Sequence, residues 1–142
     1  MDLRNSHVIP ALIRKCIEAN QGGVPSIEVW GTGSPTREFL YVDDAARGIM
    51  LATEKYDKPD PVNLGSSEEI SIRDLVTLIA ELSGFAGDLV FDPTKPDGQP
   101  RRKLNVERAT REFGFTSETP FRVGLQRTIE WFKEATARSS VA

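Results

Sequence analysis

The sequence has few of the residues that build disulfides and metal sites. Its 142 residues include a single cysteine, Cys16, and a single histidine, His7. One cysteine cannot form an internal disulfide, and one cysteine with one histidine cannot complete a tetrahedral zinc site. The sequence therefore predicts no bound metal and a protein of a reducing compartment, most simply the cytoplasm.

Long apolar runs and an excess of positive charge are also absent. No stretch of the chain approaches the roughly 18 consecutive apolar residues that a membrane-spanning helix needs. The chain has 18 lysines and arginines against 21 aspartates and glutamates, a net charge of −3. Because a nucleic-acid binder is normally basic, the sequence predicts neither a membrane nor a nucleic acid as partner.

The composition fits one globular domain. Hydrophobic residues make up 39% and charged residues 27% of the chain, a balance that supports one sizeable core. We expect a single domain over residues 1–137 and a frayed tail over residues 138–142.

Five segments have apolar residues at the spacing of an amphipathic helix. Their expected caps or first residues are Ser6, Asp43 or Asp44, Ser71, Asn105 and Thr119. Gly22-Gly23 is expected to end the first helix, and Gly84 the third. On the second helix the residues that recur at helical spacing are Ala46, Ile49, Met50 and Thr53. On the last helix we expect Val123, Leu125, Ile129 and Phe132 to face the core.

Short strands are predicted between these helices, with the first two lying close together. The predicted strands are residues 27–29, 38–42, 62–65 and 89–91. Residues 92–103 contain three prolines and no periodicity, which predicts a long loop of the kind that often carries function. The pattern as a whole predicts a small mixed α/β domain.

Neither of the common phosphate-binding glycine motifs is present. The chain has no Gly-x-Gly-x-x-Gly and no Gly-x-x-x-x-Gly-Lys-Ser/Thr. These motifs let the backbone approach a phosphate at a helix N-terminus. We therefore expect no cofactor to be bound by this chain alone.

Four segments resemble a known enzyme family. They are SHVIPALIRK (6–15), VWGTG (29–33) with REFLYVDD (37–44), NLG (63–65), and the FD and KPDGQPRRK runs within 91–103. Together they resemble the C-terminal, substrate-binding part of the extended short-chain dehydrogenases/reductases that act on sugar nucleotides, also called the NAD-dependent epimerase/dehydratase family. HVIPAL and KPDGxP are similar to the GDP-L-fucose synthase subfamily.

The resemblance implies a fold and an activity. The fold would be the substrate-binding domain without the N-terminal Rossmann half. The activity of the complete enzyme would be NADP-dependent conversion of GDP-4-keto-6-deoxy-D-mannose to GDP-L-fucose. Its cofactor site and Tyr-x-x-x-Lys pair would lie in the missing half, since neither Tyr41 nor Tyr56 has a lysine four residues later. This chain would then be inactive alone.

The resemblance also assigns roles to one histidine and three cations. His7 takes the position of the family's acid/base residue, and an imidazole can exchange protons near neutral pH. Arg37 and Arg102 would bind the diphosphate of the substrate, and Lys15 would add a further positive charge. The alternative for the cations is an ordinary solvated basic surface.

Two further residues are candidates for substrate binding. Trp30 takes the position of a substrate-contacting aromatic, with a core role as its alternative. Asp97 could accept hydrogen bonds from ribose or guanine, with an Asp-Gly turn as its alternative. We interpret Gly31-Thr32-Gly33 as a tight turn and Cys16 as a core residue.

The expected partners follow from these assignments. They are a GDP-sugar substrate, the missing Rossmann half if the enzyme is split, and a second copy of the chain in a homodimer formed through the face with His7 and the first helix. Two alternatives stay open. The chain could be a free-standing sugar-nucleotide-binding or interaction module, or part of another NAD-dependent sugar-nucleotide epimerase/dehydratase.

Overall fold

Residues 7–139 are described by a computed structural model of the protein. Their helices are α1 (Val8–Gln21), α2 (Val42–Lys55), α3 (Ile72–Ser83), α4 (Glu107–Phe113) and α5 (Phe121–Ser139). Their strands are β1 (Ser26–Trp30), β2 (Thr36–Glu38), β3 (Glu69–Ser71), β4 (Asp88–Asp92) and β5 (Arg101–Arg102). The expected Ser6 cap and residues 140–142 of the expected tail lie outside the described residues.

The strands form two small sheets, so the expected mixed α/β fold is confirmed. In the first sheet β1 and β4 are parallel, with Ser26 beside Asp88 and Trp30 beside Asp92. The second sheet has the order β3-β2-β5, in which β3 is antiparallel and β5 parallel to β2. Because β1 and β2 belong to different sheets, the expected proximity of the first two strands is not a pairing.

The main core lies where α1, α3 and α5 pack against the β1–β4 pair. Its most deeply buried members include Ile13, Cys16, Leu75, Ile79 and Ile129. The amphipathic patterns of α1 and α3 are therefore confirmed. Burial raises the pKa of the Cys16 thiol to about 11, against a small opposing effect of Lys15, which agrees with the expected core role.

Helix α3 follows its sequence signals closely. The Ser71 hydroxyl accepts a hydrogen bond from the Asp74 amide at 3.0 Å, as the capping pattern predicts. Gly84 ends the helix in the left-handed conformation, with φ of 82°. The cap and the terminator both depend on neighbours a few residues away, which makes them readable from sequence.

The N-terminus of α2 differs from its prediction. The N-cap is Tyr41, without a side-chain cap, and Asp43 and Asp44 lie in the first turn. Asp44 is buried and accepts hydrogen bonds from the Thr119 amide at 2.9 Å and the Ser117 hydroxyl at 3.1 Å. The aspartate therefore ties α2 to the segment before α5 instead of capping its own helix.

The periodic face of α2 points to solvent. Its members Ala46, Ile49, Met50 and Thr53 are all exposed. The packed side instead presents Gly48, Leu51 and Ala52 to a second core cluster of Ala109, Phe113 and Phe115. A Cβ at Gly48 would touch both Leu64 and Phe115, so this glycine allows the close approach.

Two strand predictions are also wrong. The strand expected at 38–42 is shifted, because β2 ends at Glu38 and α2 begins at Val42. No strand is assigned at 62–65, whose alternation arises because Val62 and Leu64 pack against the second cluster without a ladder partner. Neither β3 nor β5 was predicted, and β5 lies within the loop expected at 92–103.

The remaining elements agree more closely. The 89–91 strand lies within β4, and the helix expected from Asn105 begins at Glu107, whose amide binds Asn105 Oδ1. Helix α5 begins at Phe121, buries Leu125 and Ile129, leaves Val123 38% exposed, and includes Arg138 and Ser139. None of the helices in residues 7–139 has the length and apolar character needed to cross a membrane.

Candidate functional site

The register of β2 and β5 brings two of the predicted cations together. Arg37 on β2 lies beside Arg102 on β5 in a parallel pairing. Residues paired in this way project from the same face of a sheet. Adjacent like charges are unfavourable, so an anion between the two guanidinium groups would relieve their repulsion.

A cavity of about 490 Å³ opens at this point and contains the predicted acid/base residue. Its polar lining is His7, Arg37, Glu38, Arg102 and Lys103, and its apolar lining includes Phe39, Leu40 and Leu64. His7 is exposed and immediately precedes α1, where its carbonyl accepts the Ala11 amide at 3.1 Å. Three of the six predicted site residues thus line one cavity, which we call the arginine pocket.

Arg37 is held by its surroundings while keeping donors available. Its Nη1 donates to the carbonyl oxygens of Thr36 and Gln99, each at 2.7 Å. These bonds attach the long loop to β2 and orient the half-buried guanidinium. The fork geometry leaves Nε and Nη2 as further donors that suit an oxyanion.

Glu38 is a residue of the arginine pocket that the sequence reasoning missed. Its carboxylate accepts the Leu104 amide at 2.9 Å and the Ser67 amide at 3.1 Å. A Cβ at Gly65 would overlap Glu38 Oε1, so the Asn-Leu-Gly segment needs its glycine here. Glu38 therefore joins two walls of the pocket, and its place next to Arg37 in the REFLYVDD motif was the available signal.

Glu69 forms an ion cluster on the same sheet that was also missed. Arg101 Nε and Nη2 donate to its two carboxylate oxygens at 2.8 and 2.6 Å. Thr36 Oγ1 donates to it at 2.9 Å, and Lys103 Nζ lies 3.7 Å away. The hydrogen bonds from Arg101, followed by that from Thr36 and the charges of Arg101 and Lys103, outweigh partial desolvation and lower the pKa of Glu69 to about 2.

Lys15 and Trp30 do not line the arginine pocket. Lys15 Nζ donates to the Glu28 carbonyl at 3.0 Å, and Trp30 Nε1 donates to the Glu28 carboxylate at 3.0 Å. Trp30 is 63% exposed, so the core alternative for this residue is wrong. Lys95 from the long loop lies 5.8 Å from the centre of its ring.

Asp97 connects the long loop to the turn after β1. Its Oδ1 accepts the Thr32 amide at 2.6 Å and its Oδ2 accepts the Thr32 hydroxyl at 2.8 Å. Gly31 and Gly33 have positive φ angles of 84° and 78°, which confirms the tight turn. The carboxylate is thus bound within the protein, outside the arginine pocket.

A second, more apolar cavity of about 570 Å³ lies between the start of α2 and α5. We call it the apolar cleft, and its lining includes Phe39, Tyr41, Val42, Phe121 and Trp131. Val42 is 68% and Trp131 62% exposed. Phe39 and Leu40 line both cavities, so the cleft and the arginine pocket adjoin.

The family comparison agrees with the motifs. Residues 1–65 match the model of the NAD dependent epimerase/dehydratase family. This stretch includes His7, Trp30 and Arg37, and the motif with Glu38.

Curated relatives extend the similarity over most of the chain. A probable GDP-L-fucose synthase 1 from Oryza sativa subsp. japonica is 43% identical over 92% of this chain. A GDP-L-fucose synthase from Escherichia coli strain K12 is 42% identical over the same share. The chain spans 39% and 43% of those two proteins, about two fifths of their length.

A solved structure shows the same fold. A GDP-L-fucose synthetase from Naegleria fowleri bound to NADP superimposes with a TM-score of 0.89 at 34% identity, covering 96% of this chain and 43% of that one. By sequence and by fold, the chain is similar to the C-terminal part of GDP-L-fucose synthases, and its first 65 residues match the NAD dependent epimerase/dehydratase family.

Proposed function

We propose that this chain is the sugar-nucleotide-binding part of an NADP-dependent epimerase/reductase that converts GDP-4-keto-6-deoxy-D-mannose to GDP-L-fucose. In this proposal the arginine pocket binds the substrate, and the chain alone does not catalyse the reaction. The observation that carries the proposal is the adjacency of Arg37 and Arg102 in a pocket that also contains His7.

The diphosphate would lie between the two arginines. Arg37 offers Nε and Nη2, and Arg102 projects from the neighbouring strand with an exposed side chain. Charge-assisted hydrogen bonds from guanidinium to phosphate are among the strongest that proteins make. The apolar part of the pocket, formed by Phe39, Leu40 and Leu64, would pack against the less polar faces of the sugar.

His7 would transfer protons at sugar carbons next to the keto group. A general acid/base must lie within hydrogen-bond reach of the proton it moves. The diphosphate anchor fixes one end of the substrate, and His7 lies at another wall of the same pocket. Anchoring of this kind contributes to catalysis by orienting the reacting carbon.

The cofactor is assigned to a different part of the whole enzyme. This sequence has no Gly-x-Gly-x-x-Gly fingerprint, so we assign the binding of NADP(H), and the hydride that it supplies, to residues outside this chain. Lys15, Trp30 and Asp97 are kept as proposed substrate contacts of the whole enzyme. In Asp97 that role would compete with the hydrogen bonds from Thr32.

Calorimetric titration of the chain with GDP, UDP, CDP and NADPH tests this proposal. We expect weak binding of GDP and none of NADPH, because the cations are present and the glycine fingerprint is not. Micromolar binding of NADPH would show that the assignment of the cofactor site to residues outside this chain is wrong. Equal affinity for the three nucleoside diphosphates would favour another member of the family over a GDP-specific one.

The variant Arg37→Ala tests the site itself. It should weaken GDP binding by the equivalent of about 1.5–3 kcal/mol, the usual contribution of a hydrogen bond to a charged group. Arg138→Ala, an exposed arginine on α5, is the control and should bind like the parent chain. If Arg37→Ala binds GDP normally but melts at a much lower temperature, Arg37 serves only to hold Gln99 and the long loop.

A further inference from the structure

The run Arg101-Arg102-Lys103 places three cations in succession, but their side chains have different environments. Arg101 and Lys103 both approach Glu69. Arg102 and Lys103 both line the arginine pocket, but among residues 7–139 Arg102 has no such carboxylate partner. Alternation along β5 explains why Arg101 and Arg102 differ, because consecutive residues of a strand project from opposite faces of the sheet.

Strand β5 has little of its own to hold it in the sheet. It consists of two residues and follows a loop that contains Pro93, Pro96 and Pro100, which have no amide hydrogen to donate. The Thr36 amide donates to the Pro100 carbonyl at 2.9 Å, at the point where β5 begins. The position of β5 in the sheet therefore depends more than usual on side-chain contacts.

Glu69 supplies that attachment from the opposite edge of the sheet. It lies on β3, and β2 separates β3 from β5. Strands are about 4.8 Å apart, so the Glu69–Arg101 pair spans roughly 9.6 Å of sheet. Its bidentate geometry and the bond from Thr36 on the middle strand connect all three strands through one carboxylate.

We propose that Glu69 is a positioning residue of the diphosphate site. It holds Arg101 on one face of the sheet and Lys103 just after β5, and thereby places Arg102 beside Arg37 on the other face. This inference rests on the proposed function of the arginine pocket. Glu38 acts at the end of the same run, where its carboxylate binds the Leu104 amide. Arg102 therefore lies between Arg101, which binds Glu69, and Leu104, which binds Glu38.

The sign of the effect on GDP binding separates positioning from simple electrostatics. Removing the negative charge of Glu69 and releasing Lys103 would both make the region more positive, which alone would strengthen the binding of an anion. Positioning predicts the opposite result. Glu69→Gln should therefore weaken GDP binding, roughly fivefold to tenfold, since a misplaced Arg102 loses part of a charge-assisted contact.

Glu81→Gln is the matched control. Glu81 pairs with Arg122 in the same bidentate manner, at 2.6 and 3.1 Å, but between α3 and α5. Like Glu69→Gln, this variant loses an ion pair with an exposed arginine. It therefore measures any general effect of such a loss on GDP affinity. GDP affinity should be unchanged in Glu81→Gln.

A measurement without ligand tests the attachment directly. Hydrogen exchange of the Thr36 amide, which reports its bond to Pro100, should be faster in Glu69→Gln and unchanged in Glu81→Gln. If Glu69→Gln does not fold, Arg101→Lys replaces it, because lysine keeps the charge but cannot form the bidentate pair. Arg101→Lys should show the same weakening of GDP binding and the same faster exchange.

The possible outcomes are distinguishable. GDP binding that is unchanged or tighter in Glu69→Gln, with Thr36 exchange unaltered, overturns the positioning role while leaving the proposed function intact. Failure of the parent chain to bind GDP overturns the proposed function, and the exchange of Thr36 then still decides whether Glu69 holds β5.

Discussion

Individual charged residues owe their roles to partners that are distant in sequence. Asp44 is 4% exposed, yet the hydrogen bonds that its oxygens receive from Ser117 and Thr119 favour its ionised form. Its neighbour Asp43 is exposed. Asp44 also lies 3.4 Å from Arg47, so comparing the two adjacent aspartates shows the combined effect of burial, the hydrogen bonds and this ion pair.

The variant Asp44→Ala should lower the free energy of unfolding by about 1.5–3 kcal/mol, because it leaves buried donors without their charged acceptor. Asp43→Ala should cost no more than about 1 kcal/mol, the usual contribution of a charge at a helix N-terminus. Chemical denaturation at pH 7 measures both. Equal losses in the two variants would show that the Ser117 and Thr119 bonds contribute little.

The same contacts predict a dependence on pH. Burial opposes ionisation of Asp44, but the hydrogen bonds from Thr119, Glu118 and Ser117 outweigh it and lower its pKa below the ordinary value of 3.8. A carboxyl with a lowered folded-state pKa stabilises the protein fully above its unfolded-state pKa and loses that contribution on acidification. The difference in stability between the parent chain and Asp44→Ala should therefore be constant near neutral pH and shrink below about pH 4.

At the scale of elements, the turn after β1 and the long loop depend on each other. Asp97 from the loop binds Thr32 in the turn, and Gly31 lies directly beneath its carboxylate. Gly31 and Gly23 both have positive φ, but a Cβ would overlap Asp97 only at Gly31 and would meet nothing within 4 Å at Gly23. Comparing a substitution at Gly31 with the same substitution at Gly23 therefore separates the cost of backbone strain from the cost of steric overlap.

Gly23→Ala should cost about 1 kcal/mol of stability, which is the strain of a left-handed alanine. Gly31→Ala should cost about 1–3 kcal/mol more, because overpacking adds to that strain. Thermal or chemical denaturation measures the difference. Adding Asp97→Ala to Gly31→Ala should recover part of the loss, and a purely additive double variant would contradict the proposed contact between turn and loop.

At the scale of the whole molecule, a large part of the exposed apolar surface lies on α2 and α5. The apolar side of α1 is buried, with Ile13 1% and Cys16 0% exposed. Large exposed side chains instead lie on α2 and α5, where Val42 and Trp131 line the apolar cleft. Ile9 of α1 also lines this cleft, so the cleft adjoins the face expected to form a homodimer.

We expect the isolated chain to self-associate through the apolar cleft, because exposed apolar patches of a few hundred Å² recruit a partner and symmetric dimers are the commonest result. Light scattering at increasing concentration should show a mass above that of the monomer. Trp131→Glu should abolish this, whereas Trp30→Glu should not, although the two side chains are equally exposed at 62% and 63%. A monomeric mass for the parent chain up to high micromolar concentration would show that the cleft does not associate.

The sequence by itself determined the features that depend on near neighbours and on motifs. The Ser71 cap, the Gly84 terminator and the buried stripe of α3 follow from hydrogen bonds and spacings within a single helix. The tight turn at Gly31-Thr32-Gly33 likewise follows from local backbone freedom. The family resemblance and three members of the arginine pocket were recognisable because the residues stand within short motifs.

Only the tertiary structure decided which faces are buried and which charges meet. Periodicity shows that α2 has an apolar stripe at Ile49 and Met50, but the approach of Phe115 to Gly48 turns the opposite side inward. Alternation at 62–65 does not distinguish a paired strand from a segment packed on one side. Glu69 binds Arg101, 32 residues later, and that contact exists only once β2 has been placed between their strands, because a pairing of distant residues is fixed by the sheet and not by the local chain.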